Sequence, residues 1–586
     1  MNDSAKGPSP RPADATPPGG PSTPRRGRNP GRSWLLWTGV LLLGLLVVGA
    51  LTARPAYRRV KVWRAATMTV KADEMLRQGR LDEAFLGYRS ALELNAANLD
   101  ATRGMARVLT TFEVPGALAY WRPVISSPGA TDEDRDQYIS LALRLKRFDL
   151  ANEEIARLLQ QSPPTDPALI HAMELFYLQA DYRRASMFAE ALWRRNTNDN
   201  RHALRLALAQ LRLPNPTNKA FAVNLILGLT NLALPDRGYA LSMLRQAPEL
   251  PRQETLALLD SIRRGPTNFL ADRLLSADIA IRLEPDRRQA IIEETLAAVP
   301  NPSLDDKGEI AVWLLVHGQP QRILQLITPA DAQANGELLR KRLIALSADQ
   351  RWEDIQKELA NPGKMDPMAV DIFRAVTAQK LNQATLAAEH WRRASEKAGA
   401  GPDSLRRFAS IALELKAYDQ ALPAVQALQK SPLDRLRTFR QLVEIYEAAG
   451  NPEGVRSVMR DWAADVPDDP TPRTAYVYLS GLLRKDVPEA EEQGRALVEK
   501  FPDRVAPRAA LALVLLRRDN PAAALEQFAR IRPDLDLVLP GWRAVYAAVL
   551  EANGQTDKAR SILKPVKPAM LRPEERALVE NLLPAA

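Results

Sequence analysis

The sequence predicts an all-α chain: an α-solenoid of about fifteen stacked helical hairpins, preceded by a disordered tail and one transmembrane helix. Three observations predict it. A small apolar pattern returns about every 34 residues from one end of the chain to the other. A run of uncharged, mostly apolar residues occupies positions 34–53. The chain has no alternating polar–apolar stretch of strand length and is rich in alanine, leucine and arginine, which suit helices.

Residues 1–33 hold eight prolines and almost nothing apolar, so they are expected to stay disordered. Residues 34–53 form a helix of about 30 Å, enough to cross a bilayer core. Trp34 and Trp37 stand where interfacial aromatics belong, and Tyr57 and Trp63 lie beyond the other end. Arg25, Arg26, Arg28 and Arg32 flank the span on one side. Arg54, Arg58, Arg59, Lys61 and Arg64 flank it on the other, in a basic juxtamembrane segment over 54–71. The apolar run is longer than that of a cleaved signal peptide, and Arg54-Pro55 makes a poor cleavage site.

The repeats follow, over 72–199, 200–380 and 381–571. Each carries a small or aliphatic residue, an apolar one four later and another three after that, on one face of a helix. The early block reads Ala84/Tyr88/Ala91, Ala117/Trp121/Val124, Ala151/Ile155/Leu158 and Ala185/Ala189/Leu192, spaced by 33, 34 and 34. The late block reads Ala387/Trp391/Ala394, Ala421/Val425/Leu428, Val455/Met459/Trp462, Ala490/Gly494/Leu497, Ala524/Phe528/Ile531 and Ala559/Leu563/Val566. Between them the pattern drifts. Second helices are expected around Ala220/Asn224/Leu227, Thr255/Leu259/Ile262, Ala290, Ile323/Ile327 and Ile355/Leu359. Residues 572–586 read as a capping helix over the last apolar face.

The best-preserved unit runs from Gln78-Gly79 through Asp82 and Ala84 to Asn95, after a helix carrying Ala72, Met75 and Leu76. This helix–turn–helix resembles the tetratricopeptide repeat of membrane-anchored bacterial proteins. The resemblance implies that Ala84 sits where two helices cross closely, and that Tyr88 and Ala91 fill later core columns. It also implies a right-handed superhelix whose first helices line a concave groove. Trp313, Trp352 and Trp542 then fall in or near first helices. A Lys/Asn clamp for a partner's terminal carboxylate, known in similar proteins, is not in register: Ile170, Glu174, Arg205 and Ala209 occupy the matching places. The two-cysteine-pair zinc module of some membrane-anchored relatives is also missing from the sequence.

Charge sharpens the functional reading. The net charge is +10, yet residues 1–71 alone carry twelve Lys or Arg against two Asp, leaving 68 of each sign in the repeats. A nucleic-acid binder carries its excess on the folded face that meets phosphate, so no nucleic-acid partner is expected. Absence of cysteine removes disulfides and thiolate chemistry, and suits an oxidising compartment. His171, His202, His317 and His390 share no metal-binding spacing, and no phosphate loop or serine elbow occurs. Glu153-Glu154 and Glu491-Glu492 read as solvated surface. Asp305-Asp306 and Asp468-Asp469 read as loop carboxylates without the spaced ligands of a calcium site. No cofactor, metal or catalytic residue is expected.

These readings lead to a single-pass protein of a bacterial inner membrane, tail cytoplasmic and repeats periplasmic. A basic tail resists crossing, whereas long domains translocate largely regardless of charge. The expected role is a scaffold whose concave surface binds protein partners in envelope assembly, secretion or polysaccharide export. The alternative is a self-associating spacer of the envelope.

Overall fold

A computed structural model describes residues 57–228, 252–264 and 269–583, apart from 468, 503 and 530–538, together with Leu41, Leu241 and Arg245. Apart from Leu41, the expected span 34–53 lies outside the described residues, as do the flanks Arg25, Arg26, Arg28, Arg32, Trp34, Trp37 and Arg54. Among the described residues, no helix is long and apolar enough to cross a membrane.

The chain folds as helices paired into antiparallel hairpins. The helix over 57–77 pairs with Leu81–Leu94, Leu99–Thr111 with Ala117–Ile125, Asp132–Arg144 with Phe148–Leu159, and Asp166–Leu178 with Tyr182–Arg195. Asn200–Leu211 pairs with Pro216–Gly228, and Arg252–Arg264 follows. Beyond it the hairpins continue from Leu270–Leu283 with Arg288–Ala297 to Pro540–Ala552 with Thr556–Leu563. Among the described residues, strands are absent.

One turn geometry joins almost every pair. The residue two past the end of the first helix takes a left-handed backbone: Gly79, Glu113, Lys146, Ala180, Gly318, Gln350, Asn382, Lys416, Gly450, Asp519 and Gly554. The next amide donates back to a carbonyl five residues earlier, as from Arg147 to Ala142 and from Asn451 to Tyr446, both at 2.8 Å. That is the Schellman closure of a helix end. Only four of these residues are glycine, although a side chain makes the left-handed region unfavourable. Three described hairpins depart from the pattern: no left-handed residue follows Asn200–Leu211 or Leu270–Leu283, and after Pro470–Leu483 it is Arg484 and Asp486 that are left-handed.

The small-residue columns lie in the interior of the stack. Ala84, Tyr88, Ala91, Ala117, Trp121, Ala151, Ala185, Ala387, Trp391, Ala394, Ala421, Ala490, Ala524, Phe528 and Ala559 are buried. Tyr88 shows why smallness matters on the facing helix. Its ring lies so close to Gly104 that a Cβ there would sit 2.3 Å from ring carbons. Its hydroxyl donates to Asp73 at 2.6 Å, and burial together with that carboxylate holds the phenol well above its ordinary pKa.

Several expectations need correction. Trp462 is only partly buried and stacks on Phe439, while Val458 and Ala463 occupy the interior. In the middle block, Ala222 is buried rather than Ala220, and Ile291 and Ile292 rather than Ala290. The second helices there are nonetheless Pro216–Gly228, Arg252–Arg264, Arg288–Ala297, Pro320–Leu326 and Trp352–Glu358. Glu154 is not solvated surface: it is buried and paired with Arg135 at 2.8 Å and with Arg157. Asp306 lies not in a loop but in a helix first turn, where it closes a capping box with Ser303. Asp469 likewise caps Pro470–Leu483. The C-terminal cap comprises Pro573–Leu578 and a 3-10 turn over Glu580–Leu582.

Candidate docking surfaces

The stack is bent, and the bend defines an inner wall. First helices pack on first helices of the next hairpin: Pro470–Leu483 on Val505–Arg517, Val505–Arg517 on Pro540–Ala552, and Asp132–Arg144 on Asp166–Leu178. Second helices make such close contact, among the described residues, where Pro216–Gly228 meets Arg252–Arg264. A stack with one layer more closely spaced curves toward that layer. First helices therefore line the concave side.

Two clefts stand out. The first, about 420 Å³, opens across three consecutive first helices at Thr474, Tyr478, Arg504, Pro507, Trp542 and Arg572. Trp542 meets Tyr478 edge-on, with ring centres 4.5 Å apart. Leu539 stands exposed at the rim. Thr474 is buried, and its hydroxyl has no hydrogen-bond partner. An apolar floor with an unsatisfied hydroxyl suits a partner side chain that brings its own polar group. The second cleft, about 730 Å³, lies at the turn edge between Trp352, Lys380, Glu414, Lys416 and Tyr418. There the Lys380 ammonium sits 6.0 Å above the Trp352 ring.

The three tryptophans thus separate. Trp313 is buried, its indole nitrogen donating to Asp278 at 2.6 Å. Trp352 begins a second helix, not a first, and lines the turn-edge cleft. Trp542 lies on the concave wall.

Three of the four histidines are hydrogen-bonded in structural pairs, and His202 stands 3.8 Å from Asp199. His171 meets Asp136 at 2.9 Å, His317 meets Asp278 at 2.8 Å and His390 meets Asp371 at 3.1 Å. Among the described residues, groups of three or more metal-ligating side chains are absent. Burial alone would lower the His171 pKa, but Glu174 and Asp136 outweigh it and raise it. Glu174 stands 3.7 Å from Nδ1, which is an ion-pair distance rather than a hydrogen bond.

A feature invisible to sequence reasoning joins the two ends of the bend. Arg406, on Pro402–Glu414, donates to Asp82 at 2.6 and 2.9 Å, although 324 residues separate them. The same guanidinium donates twice to Asp434 at 2.8 Å and once to Asp403 at 2.6 Å. It also lies 5.2 Å from the Phe112 ring centre. Leu433 packs into the hydrophobic core of the first hairpins. Burial disfavours the Arg406 charge, yet Asp434 and Asp82 raise its pKa further still. The array has turned far enough for its early and late blocks to touch along a seam.

No family model matches the chain, and no curated protein matches it. Similar solved structures include the yeast Tom70, 14% identical over 88% of this chain and 94% of that one, with a TM-score of 0.29. A tetratricopeptide repeat protein from Parabacteroides merdae is 13% identical over 48% of this chain and 98% of its own, with a TM-score of 0.29. The pentatricopeptide repeat protein PPR10, solved with an 18-nt psaJ RNA element, is 13% identical over 92% and 96%, with a TM-score of 0.32. Likeness at this level carries no argument. The repeat fold stands on the period, the columns and the turn geometry of this chain.

Proposed function

We propose that this chain, a helical-hairpin array of tetratricopeptide type, is a membrane-anchored scaffold that docks other proteins on its concave wall. Residues 34–53 are the anchor, with the tail on the cytoplasmic side and the repeats in the periplasm of a bacterial envelope. Envelope assembly, secretion and polysaccharide export are the settings that need such a scaffold. The observation that carries the reading is the cleft spanning three first helices on the inner curve, with Trp542 and Tyr478 in its floor and a buried, unpartnered Thr474 hydroxyl. Long concave surfaces favour extended partners, and aromatic anchors in desolvated pockets carry most of the energy at such interfaces. Balanced charge in the repeats speaks against a phosphate backbone as partner.

The test is affinity purification of the full-length protein from gently solubilised membranes, beside a Trp542→Glu variant. A stoichiometric partner recovered with the native chain and lost with the variant supports the reading. Recovery unaffected by the substitution moves the docking surface elsewhere. A second reading, a self-associating spacer, has its own support in the seam: a surface that docks on itself within one chain can do so between two. Size that grows with concentration favours it.

A further inference from the structure

The helix over 57–77 is not wholly part of the array. Its buried stripe begins at Ala65 and continues through Thr69 and Ala72. The two turns before Ala65 stand clear of the core, with Tyr57, Val60, Val62 and Trp63 exposed. Trp63 is 67% exposed, an unusual position for so large an apolar ring. Interleaved with these are Arg58, Arg59, Lys61 and Arg64. Among the described residues, none of the four forms an ion pair, and the Lys61 ammonium lies 5.0 Å over the Tyr57 ring. Nothing acidic occurs between Asp14 and Asp73.

The arrangement around the helix is the informative part. At about 100° per residue, Arg58, Arg59, Lys61 and Arg64 point to different sides of the helix, not to one. An amphipathic helix lying flat on a bilayer would segregate charge from apolar groups. A collar of both kinds, wrapped around the axis, suits a helix that passes through a headgroup layer and meets lipid on every side. Residues 57–64 rise about 10 Å, and the headgroup region on one side of a bilayer is of similar depth, about 5–8 Å.

We propose that residues 57–64 form a collar embedded among anionic phospholipid headgroups, so that the array is held rigidly at the bilayer surface rather than on a flexible tether. The proposal rests on the reading of 34–53 as an anchor. The occupant is lipid rather than the chain's own tail, because residues 1–33 are themselves basic. Near an anionic surface each Lys or Arg contributes about 1 kcal/mol, or about fivefold in affinity. The collar is continuous with the first repeat through one helix, so the distance from lipid to Ala65 is fixed by helix geometry.

The natural absence of cysteine makes the test direct. Single cysteines are placed in the full chain at Val62 (V62C) and, about 12 Å further along the helix, at Val70 (V70C), and each is labelled with a polarity-sensitive dye. The protein is reconstituted in phosphatidylcholine vesicles with and without phosphatidylglycerol. The expected result is a blue-shifted label at position 62, at least about fivefold less accessible to an aqueous quencher when phosphatidylglycerol is present. The label at position 70 stays aqueous in both. Replacing Arg58, Arg59, Lys61 and Arg64 by Gln abolishes the difference. Equal accessibility at both positions and in both lipids, with the protein still resisting alkaline extraction, overturns the collar and leaves the anchor intact. Extraction by alkali overturns the anchor, and the collar with it.

Discussion

Two joints tie together residues that are distant in sequence, and they are built from opposite materials. The seam at Arg406 is ionic: one guanidinium, 12% exposed, gathers three carboxylates, of which Asp434 is completely buried. The C-terminal cap is mostly apolar. Leu571, Val579 and Leu582 are buried against the last hairpin. A buried polar contact runs from the Tyr478 hydroxyl to Glu575 at 2.7 Å, and burial together with that carboxylate pushes the Tyr478 phenol well up. The contrast is one of purpose. An end cap must stay shut, since an uncovered repeat face exposes a continuous apolar surface. A seam between blocks of one array can open at a smaller apolar cost, chiefly the exposure of Leu433 and its contacts in the first hairpins, and charge gives it direction and sensitivity to salt.

The most damaging change should be removal of the cap. Truncation before Pro573 is expected to give aggregated protein; a monomeric folded product on size-exclusion chromatography would refute the capping role. Next comes Arg406→Ala, which leaves Asp434 buried with only the half-exposed Arg437 as counter-ion. Losing one partner of a buried ion pair costs about 3–5 kcal/mol. Small-angle scattering should show the array expanding, while its helical content is retained. An unchanged radius of gyration would mean that the seam is a contact without structural consequence. Tyr478→Phe is milder, about 1–3 kcal/mol for an orphaned buried acceptor. Glu575 still accepts from the Arg572 amide at 3.0 Å, which sets the effect toward the lower end. Thermal unfolding reads it.

The smallest effect should come from His171, which bridges neighbouring hairpins rather than distant ones. Its folded pKa is raised above 6.5. The protonated form is thus favoured in the folded state, and its stabilisation is fully present below the unfolded value. It is lost as pH rises through the folded value. His171→Asn should therefore destabilise more at pH 6 than at pH 9 in denaturant titrations. Equal cost at both would show that the charge of His171 contributes nothing.

How far the sequence could carry this picture depends on which forces are local. Columns such as Ala84/Tyr88/Ala91 were legible because helix crossing demands small residues at a fixed spacing. The middle second helices were legible too, but their register slipped where branched residues such as Ile291 and Ile292 replaced alanine. The turns were half hidden. Glycine marks the left-handed position at Gly79 and Gly450, while Glu113, Lys146 and Lys416 adopt it without advertising it. Partnered carboxylates such as Glu154 could not be told from solvated ones, since Arg135 approaches from the neighbouring helix. The seam was beyond reach altogether: nothing near Asp82 signals a partner more than 300 residues away.

The seam also gives the molecule a mechanical character. An untied stack of hairpins behaves as a coil spring, with compliance spread over every interface between neighbours. A tie between Asp82 and Arg406 takes the coils between them out of that spring. Under tension along the axis the chain should be stiff at first, then yield abruptly when the tie breaks, and be soft thereafter. Higher ionic strength would lower the force at which it yields.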